Sequence, residues 1–359
     1  MNPQAKYKLI GFVMMFASSS LMGGIGAFAR FIDAPGDFIS FWRNFAGLIA
    51  LSLIFCFIPG MWGRLRGTRF SGMMLLSGIF LGLLSGLYCL STQYTTLANA
   101  SFLIYCGPVY STILAAIFLK EKVSWKGMLC IGAVIVGMLF IVGIVTPEGL
   151  TLDLDPKYAF GNAIAFASGV AYGLYLFFSR YRTDVDSNVR AWYNFLFGSL
   201  SIVVLLIWHH FFLQPLSYTE KVNGVTQFDA AGQIITHPWN MFTMPGSSWI
   251  VLIAAALITG FGAFYLLTCA TRRLKAGELA AISYQETIMA SALGLLMFNE
   301  TMTTFQLIGG ALIIIGGVCQ IVFSTKAASE VGEKIEATDE IRENLERRLL
   351  DEEASEELK

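Results

Sequence analysis

Ten long runs of apolar residues dominate this sequence and limit what it can fold into. A helix needs about 20 apolar residues to cross the hydrocarbon core of a bilayer, where backbone polar groups must bond to one another. Only 14% of the 359 residues are charged, against roughly a quarter in an ordinary soluble domain. We therefore predict an all-α polytopic membrane protein with ten spanning helices, at 10–29, 38–58, 72–90, 98–119, 127–145, 159–178, 191–208, 249–268, 279–298 and 305–323.

The basic residues fall mostly on one side of these helices. Loops rich in Lys and Arg stay in the cytoplasm. Of the 24 basic residues, 20 lie before the first run, in alternate loops or in the tail, whereas Arg30, Lys157 and Lys221 lie in the remaining loops and Arg43 lies within the second run. We therefore expect both termini in the cytoplasm, in a plasma membrane or a bacterial inner membrane.

The last 36 residues, 324–359, have a different composition from the rest of the chain. They contain 6 Lys or Arg and 12 Asp or Glu. Such a segment cannot bury enough apolar surface to fold by itself, or forms at most a short solvated helix. We interpret it as an acidic cytoplasmic tail without a role in transport.

The sequence also contains an internal repeat. A shift of 150 residues aligns the first two runs of each half, and a shift of 179 residues aligns the fourth and fifth, because a polar segment at 212–248 lengthens the second half. The aligned positions are Arg30 and Arg180, Trp42-Arg43-Asn44 and Trp192-Tyr193-Asn194, Tyr105 and Tyr284, Glu121 and Glu300, and Gly137 and Gly316.

Each copy of this repeat contains five helices, so the second copy enters the membrane from the face opposite to the first. We predict a first five-helix unit at 1–146 and a second at 147–323, with 212–248 as an extracytoplasmic loop insert. Inverted repeats can exchange conformations and so open a central site to one side and then to the other. This architecture is typical of transporters, and a duplication kept for folding alone is the alternative.

Several motifs resemble the drug/metabolite transporter superfamily, and specifically its EamA-like ten-span members. The first half contains Tyr94-Thr95-Thr96-Leu97-Ala98-Asn99-Ala100-Ser101, then Gly107-Pro108-Val109 and Glu121; the second contains Arg272-Arg273-Leu274-Lys275-Ala276-Gly277, then Tyr284-Gln285-Glu286 and Glu300. The resemblance covers 10–323 and implies secondary transport of small solutes, commonly efflux. It also implies that spans one to four and six to nine enclose a central cavity and that spans five and ten support them.

The chain departs from this family pattern at two positions. The family often has Glu-Pro in span nine, where this chain has Glu286-Thr287, so a proline kink is not expected there. Tyr193 stands in the second half where the first half has Arg43, so the two halves differ chemically.

Two charged residues lie well inside the predicted spans, Glu286 and Arg43. Charged groups at membrane depth are costly, so each is a candidate functional residue. Glu286 lies near the midplane and is a candidate for proton or cation coupling or for solute contact, with a structural role as the alternative. Arg43 is a candidate to bind a solute carboxylate or to neutralise Glu286, and anchoring at the interface is the alternative.

Aromatic and amide side chains complete the candidate site. Rings can enclose an ammonium group or stack on a planar solute, and the duplication suggests that paired residues lie at equivalent depth. Pro108 is expected to bend helix four, whereas Glu121 and Glu300, at helix ends, are expected to face headgroups or basic loop residues. The further candidates for solute contact are Trp42, Trp192, Tyr193, Asn44, Asn194, Tyr105 and Tyr284.

These features favour a secondary active transporter of amino acids or related zwitterions and amines. A proton-coupled exporter of cationic or aromatic drugs and a non-transporting sensor or scaffold are the alternatives. We expect no enzyme activity, cofactor, metal or nucleic acid, since the sequence has neither a phosphate-binding GxxxxGK[ST] motif nor a clustered set of catalytic groups. The partners expected are a small solute, the bilayer and protons as a coupling ion. The glycines at 309–310 and 316–317 indicate helix packing or a weak homodimer of an otherwise monomeric protein.

Overall fold

The computed structural model describes residues 3–118, 125–146, 149–150, 156–179, 181, 185–213, 216–229, 234–271, 273–274, 279, 282–320 and 322–323. The acidic tail at 324–359 and the two repeat positions Glu121 and Arg180 lie outside these residues.

The apolar runs of the first half form helices close to their predicted positions. Two of these runs are interrupted, the first at Gly24 and the fourth at Tyr105 and Cys106. The helices are α1 (Pro3–Gly23), α2 (Ile25–Ala29), α3 (Gly36–Phe57), α4 (Met61–Gly67), α5 (Gly72–Tyr94), α6 (Leu97–Ile104), α7 (Gly107–Phe118) and α8 (Trp125–Val142).

The helices of the second half include two π-helical segments, which follow α10 and α11 directly. Such segments are rare and frequently occur at functional sites. The elements are α9 (Pro156–Ser179), α10 (Ser187–Trp208), the π segment His209–Leu213, α11 (Gly246–Ala255), the π segment Ala256–Gly262, α12 (Ala263–Thr271), α13 (Gln285–Phe298) and α14 (Thr304–Gln320).

Eight helical segments of the described chain, two of them with the short interruptions at Gly24 and at Tyr105 and Cys106, are long and apolar enough to cross a bilayer. Two further apolar helices, α13 and α14, occupy the places of the ninth and tenth predicted spans but are shorter. The 14 residues of α13 rise about 21 Å, less than the ~30 Å of a typical hydrocarbon core. The chain is therefore a multi-pass membrane protein, and the count of ten spans stays a prediction.

The two halves pack against each other in reciprocal pairs. Helix α5, the third predicted span, packs along α9 and α10, the sixth and seventh. In the same way α12 and the π segment before it, which form the eighth span, pack against α1 and α3, the first and second. Two inverted copies of one unit would pack in this manner, although the inverted relation itself stays a prediction.

Glycines permit the closest contacts between helices. A Cβ atom on Gly82 of α5 would lie 2.3 Å from the carbonyl oxygen of Gly198 in α10, and one on Gly137 of α8 would lie 2.6 Å from that of Gly309 in α14. Small residues allow backbones to approach this closely. The glycines of α14 therefore serve packing within the chain, which is one of the two roles that the sequence left open.

Residues 216–229 and 234–248 pack over one end of the bundle. Asn223 and Gly224 have φ values of 51° and 77°, as a two-residue type I′ hairpin turn requires. The strand pairs are β1 (Val145–Thr146) with β2 (Gly149–Leu150), β3 (Ser217–Thr219) with β6 (Thr236–Pro238), and β4 (Lys221–Val222) with β5 (Val225–Thr226). We call residues 216–229 and 234–248 the insert, and the end of the bundle that contains them, together with 30–35, 92–96 and 299–303, the insert end.

Candidate solute site

Two tyrosines at aligned positions of the repeat mark breaks in the helices. Tyr105 lies between α6 and α7, and Tyr284 immediately precedes α13. Their ring centroids are 5.2 Å apart, and the Tyr284 hydroxyl donates to the carbonyl oxygen of Tyr105 over 3.3 Å. A side chain thus satisfies a carbonyl group beside the helix break, as backbone at membrane depth requires.

Pro108 lies directly after the first of these breaks, as the second residue of α7. Proline lacks an amide hydrogen and fits the first turn of a helix, where that hydrogen has no acceptor within the helix. The second break occurs at Tyr284 without a proline, since this chain has Glu286-Thr287 where the family often has Glu-Pro. Both breaks place polar backbone beside the same pair of tyrosines.

Glu286 lies in the first turn of α13 and is only 9% exposed. The Tyr105 hydroxyl donates a hydrogen bond to its Oε2 atom, with 2.5 Å between the two oxygens. The amino-terminal end of a helix carries a partial positive charge that stabilises a carboxylate in its first turn. This contact joins the broken helix of the first half to that of the second half.

Arg43 is buried in α3, at 5% exposure. Its Nε atom donates to Oγ1 of Thr259 over 2.7 Å, and Thr259 belongs to the π segment of the eighth span. This contact between helices favours a role inside the bundle, and the choice between solute contact and interfacial anchoring stays a prediction. Thr259 was missed by sequence reasoning, since one threonine in an apolar run carries no signal.

Arg43 and Glu286 are held by different partners. Their charges lie close enough to attract each other, but among the described residues they do not form an ion pair. Neutralisation of Glu286 by Arg43 in the empty site stays a prediction. An acid and a base within one cluster, each bonded to a hydroxyl group, can instead bind opposite ends of a zwitterion.

Aromatic rings lie next to this pair of charges. Tyr172 of α9 packs edge-to-face on Tyr105 with 6.2 Å between ring centroids, and Tyr88 of α5 lies near both Arg43 and Glu286. Tyr88 and Tyr172 are buried or half-buried. These rings give the cluster a surface suited to an ammonium group or a planar solute.

The two tryptophans aligned by the repeat are not brought together. Trp42 packs against Trp249 and Phe38 near the insert end. Trp192 donates its indole hydrogen to Oγ of Ser52 over 2.9 Å, toward the opposite end. The two rings therefore contact different parts of the bundle, and their equivalent depth stays a prediction.

The remaining candidates connect helices. Tyr193 donates to the carbonyl oxygen of Leu65 over 3.4 Å, toward the same end as Trp192. Asn44 donates to Oγ of Ser85 over 2.8 Å, and Asn194 accepts from Oγ of Ser77 over 2.9 Å. The two serines both belong to α5, so the paired asparagines bind one central helix from two sides.

Comparisons with known proteins identify the family of the chain. The sequence pattern described as "EamA-like transporter family" matches residues 9–143 and 230–322. The chain belongs to this family. It is 25% identical over 301 residues to an "Uncharacterized transporter" of Archaeoglobus fulgidus, covering 83% of this chain and 92% of the relative. An "Uncharacterized transporter" of Helicobacter pylori strain J99 is 23% identical, over 82% of this chain and 89% of the relative.

The fold is shared with a solved crystal structure. The two superpose with a TM-score of 0.52 at 18% identity, over 90% of this chain and 99% of the other. The family and the names of the relatives confirm the resemblance found in the sequence, and they indicate a transporter, which is not an enzyme.

In this EamA-like transporter, the clustered side chains come from helices that the resemblance places around the cavity. Arg43, Tyr105, Tyr172 and Glu286 lie in the second, fourth, sixth and ninth predicted spans. Helices α8 and α14, the fifth and tenth, contribute none of these four side chains and pack on each other.

Proposed function

We propose that this EamA-like transporter is a secondary active transporter that exports small zwitterions or amines, amino acids among them. In this proposal the two inverted halves alternate in opening a shared site, and both termini lie in the cytoplasm of a plasma or bacterial inner membrane. The family supports a transporter. The substrate class and the mechanism are supported by the geometry around Glu286.

The contact between Tyr105 and Glu286 is the observation that carries the proposal. It joins helix breaks from the two halves, and broken helices form the solute and ion sites of many transporters with inverted repeats. A backbone break at membrane depth is tolerated only where it is buried in protein or lines a cavity. A carboxylate placed at such a break is positioned to respond to movement of one half against the other.

The charges and rings of the cluster favour a zwitterion as the solute. The guanidinium group of Arg43 suits a carboxylate, because its planar donors can bind both oxygens. The carboxylate of Glu286 suits an ammonium group, and Tyr105 and Tyr172 provide aromatic surface beside it. Neither charge is cancelled by contact with the other among the described residues, so both ends of the solute have a partner.

Glu286 is the coupling residue in this mechanism. A carboxylate that binds a proton in one state and a solute ammonium group in the other exchanges protons for solute across the membrane. Ionisable groups in spans often form such proton relays. An inward proton gradient would then drive export.

Flux into vesicles tests this mechanism. Purified protein in liposomes is given a pH gradient and a mixture of radiolabelled amino acids. We expect gradient-driven flux in the wild type and loss of the response to the gradient in Glu286→Gln. Glu220→Gln is a matched control, because Glu220 is a part-exposed carboxylate of the insert that contacts His237. Wild-type behaviour of Glu286→Gln at every pH would refute the coupling role.

A second experiment tests the substrate class. Arg43→Ala should abolish flux of zwitterions and spare flux of a purely cationic, membrane-impermeant probe such as tetramethylammonium. Arg64→Ala is the control, since Arg64 is 64% exposed and lies away from the site. Equal loss of both fluxes would contradict the role of Arg43, and the absence of any flux in the wild type would favour a sensor or scaffold.

The aromatic cluster also supports a second candidate, a proton-coupled exporter of cationic or aromatic drugs. The ring of Tyr105, which is bonded to Glu286, contacts the rings of both Tyr172 and Tyr284. Such rings attract an organic cation without any need for Arg43. This candidate predicts cation flux that is unchanged in Arg43→Ala, together with no wild-type flux of amino acids.

A further inference from the structure

An ion pair between Arg30 and Glu300 joins three chain connections at the insert end. The side chains are 5% and 12% exposed, and Nη2 of Arg30 lies 2.5 Å from Oε1 of Glu300. Arg30 also donates to the carbonyl oxygens of Thr92 and Thr95, at the end of α5. Oε2 of Glu300 accepts from the backbone amide of Leu97, the first residue of α6. The expectation of a basic loop residue as the partner of Glu300 fits this contact.

The groups around Arg30 and Glu300 favour contact between the two side chains. The first amides of a helix have no acceptor within the helix, so Glu300 satisfies the amide of Leu97 and also faces the positive end of α6. The guanidinium of Arg30 lies 4.8 Å from the centre of the Phe298 ring. Separation of the pair would leave two largely buried charges without a counter-charge, although each keeps hydrogen bonds to backbone groups, so the contact opens only if both groups become hydrated.

Helices α6 and α13 lead from this pair to the candidate solute site. Tyr105 lies about 12 Å along the helix from Leu97, and Glu286 lies about 12 Å along α13 from Gly294, at 1.5 Å per residue. The carbonyl oxygen of Gly294 accepts from the amide of Glu300, which turns back toward α13 after the helix ends. These two helices are therefore bonded to each other at the site, through Tyr105 and Glu286, and again at the insert end, through Leu97 and Glu300. A solute passing between them toward the insert end requires the second bond to break.

The insert packs over the same pair. Lys221 donates to the carbonyl oxygens of Ala29 and Ile32 over 3.1 Å and 3.3 Å, and Thr226 donates to that of Gln93 over 3.3 Å. A cavity of about 240 Å³ between the insert and the bundle is lined in part by Arg30, Glu300, Thr226 and Phe228. The pair thus lies between this cavity and the bundle interior.

The opposite end of the bundle has a contrasting ion pair. Arg64 lies 3.1 Å from Asp186, with exposures of 64% and 29%. Exposed pairs of this kind contribute little to closure, because water already solvates both charges. Compared with this exposed pair, the buried pair of Arg30 and Glu300 is therefore better placed to hold the helices together.

We propose that Arg30 and Glu300 form the gate of the insert end, and that solute crosses this end only while the pair is separated. The inference rests on the proposed alternating access. It adds to that mechanism the two residues of one gate and the end of the bundle at which the gate lies. Gly294 leaves room for the gate carboxylate, because a Cβ atom at this position would lie 2.5 Å from Oε2 of Glu300. Gly294→Ala would thus displace the carboxylate without changing any charge.

A buried thiol can report the state of the gate without any known solute. Cys89 of α5 is fully buried, lies one turn before Thr92 and interacts electrostatically with Arg43. The reporter protein retains Cys89, with the other five cysteines replaced by Ala, and is labelled in vesicles with a membrane-impermeant maleimide. A second protein with Val222→Cys, at an exposed position of the insert, identifies the vesicles whose insert end faces the reagent.

We expect slow labelling of Cys89 from the insert end and several-fold faster labelling in Glu300→Gln and in Gly294→Ala. Arg64→Gln is the matched control and should label as slowly as the reporter protein. Each variant is first checked for a single species on size exclusion and for a melting transition. If Glu300→Gln does not fold, Gly294→Ala decides.

Labelling of the folded variants at the unaltered rate would overturn the gate. Solute flux is measured separately, so the two proposals can fail separately. Faster labelling without solute flux in any protein would support the gate residues and reject transport. Flux with unchanged labelling would support transport and reject the gate.

Discussion

Tyr105 donates its hydroxyl hydrogen to Glu286 across the two halves of the bundle, with 2.5 Å between the oxygens. The two residues are 181 positions apart in the chain, and each lies at a point where an apolar helix is interrupted. The same tyrosine accepts a hydrogen bond from Tyr284 on its backbone carbonyl. One aromatic side chain and its carbonyl therefore connect the breaks in both halves.

Replacement of Tyr105 by Phe should reduce maximal flux roughly ten- to hundredfold, because a hydrogen bond to a charged group contributes ~1.5–3 kcal/mol. Initial rates of uptake into vesicles measure this effect. The double variant Tyr105→Phe with Glu286→Gln should be no slower than Glu286→Gln alone, since the two groups act as a unit. Tyr265→Phe is the control, because Tyr265 in α12 is 48% exposed. Wild-type flux in Tyr105→Phe would show that the contact has no role in transport.

Replacement of Gly82 by Ala should destabilise the bundle by about 1–3 kcal/mol, the usual cost of overpacking. The new Cβ atom would lie 2.3 Å from the carbonyl oxygen of Gly198, and backbone cannot move aside without separating α5 from α10. The melting temperature in detergent measures the change. Gly132→Ala in α8 is the control, because no atom lies within 4 Å of the new Cβ and Ala favours helix over Gly. Equal melting temperatures for the two variants would contradict this packing.

Docking of the insert should strengthen as the pH rises above neutrality. Burial lowers the pKa of Lys221 from 10.5 to about 7, an effect that Asp33 partly offsets and Arg30 reinforces. Between these two values the undocked insert holds more protons at Lys221 than the docked insert, so docking gains free energy with rising pH across this window. Below pH 7 both forms hold the proton, and Lys221 adds no pH dependence.

Hydrogen exchange at 217–226 measures this docking, after correction for the intrinsic exchange rate at each pH. Protection should increase from pH 7 to pH 9. In Lys221→Met the hairpin should show the same protection at both pH values, because the titrating group is gone. Protection in the wild type that does not change over this range would refute the assignment.

Some parts of the site could be found from the sequence, and the reasons are specific. Glu286 was found because a charge inside an apolar run is rare, and Tyr105 and Tyr284 were found because the repeat aligns them. Thr259 was missed because nothing in the sequence separates it from other threonines in apolar runs. Trp192 was assigned to the site from its alignment with Trp42, yet it lies on Ser52 toward the other end.

The sequence by itself determined that this chain is a multi-pass membrane protein of the EamA-like family, because long apolar runs and family motifs depend on composition and order alone. Only the tertiary structure decided which polar groups meet. Arg43 and Thr259 are 216 positions apart in the sequence. Arg30 and Glu300, which form an ion pair, lie near opposite ends of the sequence of the membrane domain. Their contacts depend on how each helix is rotated and how closely glycines let it approach its neighbours, and these are properties of the packed bundle.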